Sequence, residues 1–443
     1  MDGDRTGTPC YLILQGMPTP FLAKLGAALA AQGYTVKKIN FTGGDRVFWR
    51  LPGAADYRGD LKAWPKFLET RLVEWRVSDI VLFGDCRPLH RAAVAAAARR
   101  GIRVHVIEEG YLRPNWITVA KDGVNGNSVL PLDPDWFLAE AAKLPPWHPG
   151  AQVTSQFRRR AVWDVSYHVS SLVLRWYYPR YRTHLVLNPF REYAGWVKRT
   201  LRKPLIRPRT RRAIETLNSW RGKRPFFLFP LQLESDSQLV FHSTYDALLP
   251  ALEYVLASFA RHAPAEAGLV IKEHPLDPGL TDWHANVTRA AARLGIADRV
   301  LYIRGCGVEP ILDGCAGVVT LNSTTGFLAL SAAVPVVALA KAIYNMPGLT
   351  FQDGLDRFWA EATRPDPAVF DAFRRVVAHR TQVNGGFFST AGLALAVEGT
   401  IARLIERAAR QPVIWAMPVP VERDPANHAE RHEAEAVRAR ISL

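Results

Sequence analysis

Residues Asp79–Pro114 read DIVLFGDCRPLHRAAVAAAARRGIRVHVIEEGYLRP. DIVLF is a short apolar run that stops at Gly84, the pattern of a buried strand. Leu89–Arg100 is an Ala-rich helix, and Arg103–Ile107 returns as a strand. Strand, helix and strand within so few residues predict a βαβ unit with parallel strands. Upstream, Tyr11–Gln15 is another apolar strand, Phe21–Gln32 has helical spacing and Tyr34–Phe41 is again a strand. Downstream, strands are expected at Pro225–Pro230, Leu269–Lys272, Val300–Ile303, Val318–Leu321 and Val336–Leu339. Helices fit Thr244–Arg261, Asp282–Leu294 and Gly326–Ala333. The fold class is therefore α/β, with two doubly wound, Rossmann-like halves. Ligands of such sheets bind beyond the carboxyl ends of the strands.

Composition narrows the class. At 48% hydrophobic and 22% charged residues, the 443-residue chain is globular and long enough for two cores. Cys10, Cys86, Cys306 and Cys315 are too scattered for a disulfide framework, which favours a reducing compartment. The N-terminus lacks the basic-then-apolar order of a signal peptide. Gly314–Ala340 carries no charge, yet Asn322–Thr325 and Pro335 interrupt it, so it reads as strand, polar turn, helix and strand rather than a membrane span.

Charge is concentrated. Residues 158–224 hold 18 Lys/Arg against three acids (Asp164, Glu192, Glu215), an excess that equals the +15 of the whole chain. Trp163, Tyr167, Trp176, Tyr177, Tyr178, Tyr181, Phe190, Tyr193 and Trp196 are interleaved with them. That mixture suits anionic lipid headgroups or single-stranded nucleic acid. A solvated Arg-rich helical connector is the plainer alternative.

Three polar clusters stand at strand ends. Glu108-Glu109-Gly110, followed by Arg113, offers two adjacent carboxylates and a glycine that admits a close substrate; a solvated turn would look the same. Lys272-Glu273-His274-Pro275 could neutralise a phosphate and donate a proton, or simply close a loop. Asn322-Ser323-Thr324-Thr325-Gly326 places hydroxyls and free N–H groups at a helix start, a phosphate site or an ordinary N-cap. Together they point to an anionic, phosphate-bearing substrate. Asp133-Pro134-Asp135 reads as a turn rather than a metal site. His428 and His432 lack the order of a zinc motif, and there is neither a P-loop nor a G-x-G-x-x-G.

LQG at Leu14–Gly16, FGDCRPLH at Phe83–His90, EEGYLRP at Glu108–Pro114 and FPLQLESDSQL at Phe229–Leu239 carry a family resemblance. KEHPLDPG at Lys272–Gly279, LNSTTGFLAL at Leu321–Leu330 and NGGFF at Asn384–Phe388 complete it. The chain resembles the bacterial capsule polysaccharide biosynthesis/export proteins of the KpsS/LipB type. The resemblance implies a GT-B-like glycosyltransferase, two Rossmann-like domains facing a cleft. It implies retaining transfer of β-Kdo (3-deoxy-D-manno-oct-2-ulosonic acid) from CMP-Kdo to a (lyso)phosphatidylglycerol acceptor, without metal or other cofactor.

Glu108, Glu109 and His274 take the places of the family's acidic and His-Pro motifs and are the catalytic candidates, with Glu109 as nucleophile and Glu108 as acid/base partner, or the two exchanged. On the donor side stand Lys272, His274, Pro275, Asn322, Ser323, Thr324, Thr325, Gln232 and Arg113. Gly16, Asp85, Arg87 and His90 are acceptor-side candidates. Glu109 stands where related Kdo transferases often have Asp, and QGMPTPF departs from the usual Gly-Pro-x-Gly loop. The implied setting is cytoplasmic, peripheral at the inner face of the membrane, with other capsule biosynthesis/export proteins as partners and no nucleic acid.

The expected domains are 1–157 (N-terminal, acceptor side), 158–224 (basic connector packed on it), 225–388 (CMP-sugar binding) and 389–443 (helices and a charged tail). Two alternatives remain: another CMP-sugar transferase, sialyl or Kdo-extending, and a non-catalytic anionic-polymer-binding or capsule-assembly scaffold protein.

Overall fold

Strands buried on both faces need helices on both sides, and the computed structural model of the chain, which describes residues 8–154, 156–183, 189–234, 243, 245 and 247–410, supplies them. The first sheet contains β1 (Cys10–Ile13), β2 (Thr35–Asn40), β3 (Ala54–Asp56), β4 (Asp79–Phe83), β5 (Arg103–Glu109), β6 (Trp116–Lys121) and the late β12 (Gln382–Asn384). Its order is β12-β6-β5-β4-β1-β2-β3. The second contains β7 (Phe226–Pro230), β8 (Gly268–Lys272), β9 (Val300–Ile303), β10 (Gly317–Thr320) and β11 (Val336–Ala338), in the order β11-β10-β7-β8-β9.

Within each sheet the first strand sits in the middle, the second and third lie to one side, and the fourth begins the other side. That is the Rossmann order, and it leaves a topological switch point between β1 and β4 and another between β7 and β10. The pairings within these cores are parallel. Two such units, with β12 returning to the first, make the GT-B-like architecture.

Local sequence explains the elements. Alternation along β1 sends Cys10 and Leu12 into the core under the helices Trp64–Glu74 and Pro88–Arg100. Tyr11 and Ile13 go to the opposite core, under the helix Phe21–Ala31. Pro88 opens its helix at a position where no N–H is needed, and Gly101, at φ 63°, ends it in a left-handed turn. Gly314–Ala340 is β10, the helix Thr324–Ser331 and β11, as its punctuation indicates. No helix among the described residues is long and apolar enough to cross a membrane.

Four expectations change. First, β5 runs two residues beyond Ile107, because β6 pairs with it antiparallel and carries Glu108 opposite Thr118 and Glu109 opposite Ile117. Second, Gln382–Asn384 does not stay with the second sheet but pairs antiparallel with β6. The helix Thr390–Arg410 then buries Leu393, Ala396, Ile401 and Leu404 in the same core as Phe21, Leu22, Leu25 and Leu29. A boundary at 388 therefore cuts through the N-terminal unit.

Third, the connector is split. The helix Phe157–Val173 packs on the first unit, where the Tyr167 hydroxyl donates to Asp45 at 3.0 Å. The helix Pro189–Trp220 instead buries Ala213, Leu217 and Trp220 in the core of the second. Fourth, Asp133 caps the helix Pro134–Ala141 by accepting from the Asp135 N–H at 3.0 Å, so DPD is a helix start and not a free turn. The charged stretch 422–440, with His428 and His432, lies outside the described residues.

Candidate active site

Glu108 and Glu109 are consecutive strand residues, so they leave opposite faces of the sheet. Glu108 accepts from the Asn125 side-chain amide. Nearby, Asp85 accepts from the Val124 N–H at 3.2 Å and from the Asn127 amide at 3.1 Å. Glu109 turns the other way. Arg113 lies 2.9 Å from one of its oxygens and Arg160 3.7 Å from the other. It lines a cavity of about 190 Å³ with Arg113, Trp116, Arg160, Phe387 and Phe388. The Arg160 guanidinium sits 4.5 Å from the centre of the Phe388 ring. The two adjacent carboxylates are thus separated and do not form a direct pair.

Gly110 is required for space rather than for its φ. A Cβ there would lie 2.1 Å from the Trp116 carbonyl oxygen, to which the Gly110 N–H already donates at 3.1 Å. Gly110→Ala is expected to push β6 off β5 and cost about 1–3 kcal/mol. A lowered urea midpoint at constant m checks it; an unchanged midpoint refutes the close approach.

His274 follows β8 in the second unit. The Leu276 N–H donates to its Nδ1 at 3.1 Å, so the neutral ring carries its proton on Nε2. Burial pushes its pKa down to about 4, and the charges of Lys272, Arg113 and Arg199 work in the same direction while Glu109 opposes them. Groups from both units therefore act on one imidazole: Arg113 and Glu109 from the first, Lys272 from the second, and Arg199 from the helix Pro189–Trp220. The ring is neutral at pH 7 and offers Nε2–H as a donor.

Because the folded pKa lies below the ordinary 6.5, protonation favours the unfolded chain. Stability is lost as pH falls from about 6.5 toward 4. An NMR titration should place the His274 midpoint near 4; a midpoint near 6.5 would contradict this environment.

Glu273, buried, anchors the His274 loop. Arg199 reaches it at 3.0 Å, Arg304 at 2.5 Å, and the Tyr302 hydroxyl donates to it. Lys272 is 2% exposed, donates to the Glu273 carbonyl at 3.0 Å, and is drawn to a lower pKa by burial. It acts on His274 from beneath rather than as an open cation. Pro275 is exposed beside it.

At the β7/β10 switch point Gln232 and Asn322 pair in both directions. The Gln232 amide donates to the Asn322 side-chain oxygen at 3.0 Å, and the Asn322 N–H donates back at 3.3 Å. Both are buried and lock the switch point. Ser323 caps the helix Thr324–Ser331 by accepting from the Thr325 N–H at 3.1 Å. Ser323, Thr324 and Thr325 remain half-buried at that helix start.

The acceptor-side candidates gather at the β1/β4 switch point, where Arg87 donates to the Gly16 carbonyl at 2.9 Å. His90 is fully buried, 2.6 Å from the Gly84 carbonyl through Nδ1, and burial pushes its pKa down to about 3. Asp85 and His90 therefore help build the strand-to-helix turn. Motif reading did not single out Arg160, Arg199 or Phe388 as site residues. The first two lay within the basic segment and Phe388 in NGGFF, with nothing local to distinguish them. A larger cavity, about 830 Å³, lies between the helix Pro189–Trp220 and the outer edge of the second sheet, away from Glu109.

Residues 78–388 match the family described as capsule polysaccharide biosynthesis protein. The chain belongs to that family. The Escherichia coli capsule polysaccharide export protein KpsS is 35% identical over 380 residues, 85% of this chain and 96% of that protein. The Neisseria meningitidis (serogroup A) capsule polysaccharide modification protein LipB is 33% identical over 384 residues, 85% and 91% of the two chains. A solved structure described as Thermosulfurimonas dismutans KpsC, beta Kdo 2,7 transferase, covers 89% of this chain and 99% of that one, at 15% identity and a TM-score of 0.43. The matched span of this capsule biosynthesis family member includes Glu108, Glu109, His274 and Ser323, so the candidate site lies within the family's own region.

Proposed function

We propose that the protein is a retaining glycosyltransferase of capsule biosynthesis that moves β-Kdo from CMP-Kdo to a (lyso)phosphatidylglycerol acceptor. The observation that carries this reading is that Glu109 at the end of β5 and Arg113 in the loop after it lie near enough for their charges to act on His274, which follows β8 of the other sheet. A sugar bound between the units would meet a carboxylate on one side and hydrogen-bond donors on the other. Kinship with capsule proteins sets the pathway class, and the family resemblance of the motifs supplies the sugar and the acceptor.

The Glu109 carboxylate attacks the anomeric carbon while the bond to the CMP phosphate breaks and its electron pair leaves with CMP. The Nε2–H of His274 and the helix start at Ser323–Thr325 stabilise the departing phosphate. Arg113 and Arg160, one at each oxygen, hold the Glu109 carboxylate in place. The acceptor hydroxyl then displaces Glu109 from the same carbon as its proton passes to solvent, and two inversions amount to retention. Glu108, held by Asn125 on the other face, positions the end of β5. This scheme uses no metal or other cofactor.

A mass-spectrometric assay with CMP-Kdo generated in situ and a fluorescent lysophosphatidylglycerol tests the reading. A product heavier by one Kdo supports it. Product only from CMP-sialic acid, or only on a Kdo-primed lipid, would replace the donor or acceptor assignment. Silence with every donor, together with salt-dependent binding of anionic polymer, would favour a scaffold.

A further inference from the structure

Helices normally turn their apolar face inward, but the helix Phe157–Val173 and the first third of Pro189–Trp220 carry apolar stripes that face outward. On Phe157–Val173 the inward side carries Tyr167, whose hydroxyl bonds Asp45 and Gln15. At 100° per residue, Arg158, Val162, Val165, Val169, Leu172 and Val173 form an outward stripe about 100° wide, and Trp176 follows one turn on. Val162 is 62% exposed, Val173 64% and Trp176 73%. On Pro189–Trp220, Phe190, Ala194, Val197 and Leu201 recur at i, i+4, i+7 and i+11 and are likewise exposed, Leu201 to 75%.

The helices touch each other, Tyr193 donating to Asp164 at 2.7 Å, so the stripes lie on adjacent elements. Exposed Arg158, Arg175, Arg180, Arg182, Arg191 and Lys198 surround them. This is the composition of an interfacial helix: apolar residues for the acyl boundary, cations for lipid phosphates.

We infer that these two stripes form one docking surface for an anionic phospholipid bilayer. The same helices reach inward to both halves of the candidate site. Arg160 stands by Glu109, while Arg199 holds Glu273 and donates to the Asp277 carbonyl of the His274 loop. Docking therefore sets the height of the site above the membrane. The inference goes beyond the transfer reaction and is read without turnover, so its failure and that of the glycosyltransferase reading are distinguishable.

The test is flotation of the full chain with vesicles of phosphatidylcholine alone or with added phosphatidylglycerol, beside size-exclusion light scattering. The wild-type chain should float with the anionic vesicles only, and release as salt rises. Val162→Asp/Leu172→Asp/Trp176→Asp should lose binding at least about tenfold with an unchanged thermal midpoint. Arg158→Gln/Arg175→Gln should lose about fivefold per arginine at low salt.

Equal flotation with neutral and anionic vesicles, or undiminished binding by the stripe variant, overturns the inference. So does a wild-type dimer that the stripe variant converts to a monomer, which would mean a second copy covers the face. If the stripe variant does not fold, the arginine variant decides, loss supporting and no change refuting.

Discussion

Glu109→Gln is expected to abolish Kdo transfer, lowering kcat by at least about a thousandfold, because an amide is no nucleophile and forms no glycosyl ester. Glu108→Gln should fall by no more than about tenfold, since a positioned amide still occupies its place beside Asn125. The difference rests on strand alternation. Glu109 lines the cavity with Arg113, Arg160 and Phe388, whereas Glu108 turns to the opposite face. The comparison uses intact protein, purified alongside the wild type, in the mass-spectrometric assay, with trapping of a glycosylated protein as second readout. A dead Glu108→Gln beside an active Glu109→Gln would exchange the two roles.

Asp79→Ala is expected to destabilise the fold by about 3–5 kcal/mol, a large part of the 5–15 kcal/mol typical of a domain. Asp79 is fully buried at the start of β4. Arg103 lies 2.6 Å from one oxygen and His105 2.7 Å from the other. Arg407 of the helix Thr390–Arg410 stands 3.3 Å from the far nitrogen of His105. Removing the carboxylate takes away the buried acid that Arg103 and His105 share, with the Arg407 guanidinium close by, and loosens the tie between the helix Thr390–Arg410 and the first sheet.

Burial alone would raise the Asp79 pKa, but hydrogen bonds from His105 and Arg103 outweigh it and hold the group below the usual 3.8. Its contribution is therefore full above about pH 4 and is lost as pH falls through the lower folded value. Urea unfolding of wild type and Asp79→Ala at pH 7 measures the difference. A loss under about 1 kcal/mol would show that the cluster is not what secures this edge. The cluster lies at the opposite end of the strands from Glu109, so folded Asp79→Ala should keep its kcat.

Much of the fold is legible in local pattern. β4, with DIVLF, and β9 have the bounds expected of them, and other core strands agree to within about two residues, because a parallel strand buried on both faces is a continuous apolar run. The antiparallel strands β6 and β12 escaped. WITVAK becomes a strand by pairing with β5, and QVN becomes one only by pairing with WITVAK across more than 260 residues of chain. The same holds for the site. Three polar clusters at strand ends are visible from spacing, yet their members play unequal parts. Gln232 and Asn322 satisfy one another, Lys272 is spent on a carbonyl, and Asp85 and His90 hold a turn.

What the amino-acid order determined by itself was the α/β alternation, the two sheets and the placing of acids, histidine and hydroxyls at their carboxyl ends. All of these follow from periodicity and punctuation over a few residues. What only the tertiary structure decided was which carboxylate lines a cavity with Arg113 and Phe388, and which arginines of the basic segment, Arg160 and Arg199, turn inward to meet acids. It also decided that β12 and the helix Thr390–Arg410 pack with the first sheet. Those outcomes depend on side chains meeting across long stretches of chain, where burial and hydrogen bonding select one arrangement that no local pattern records.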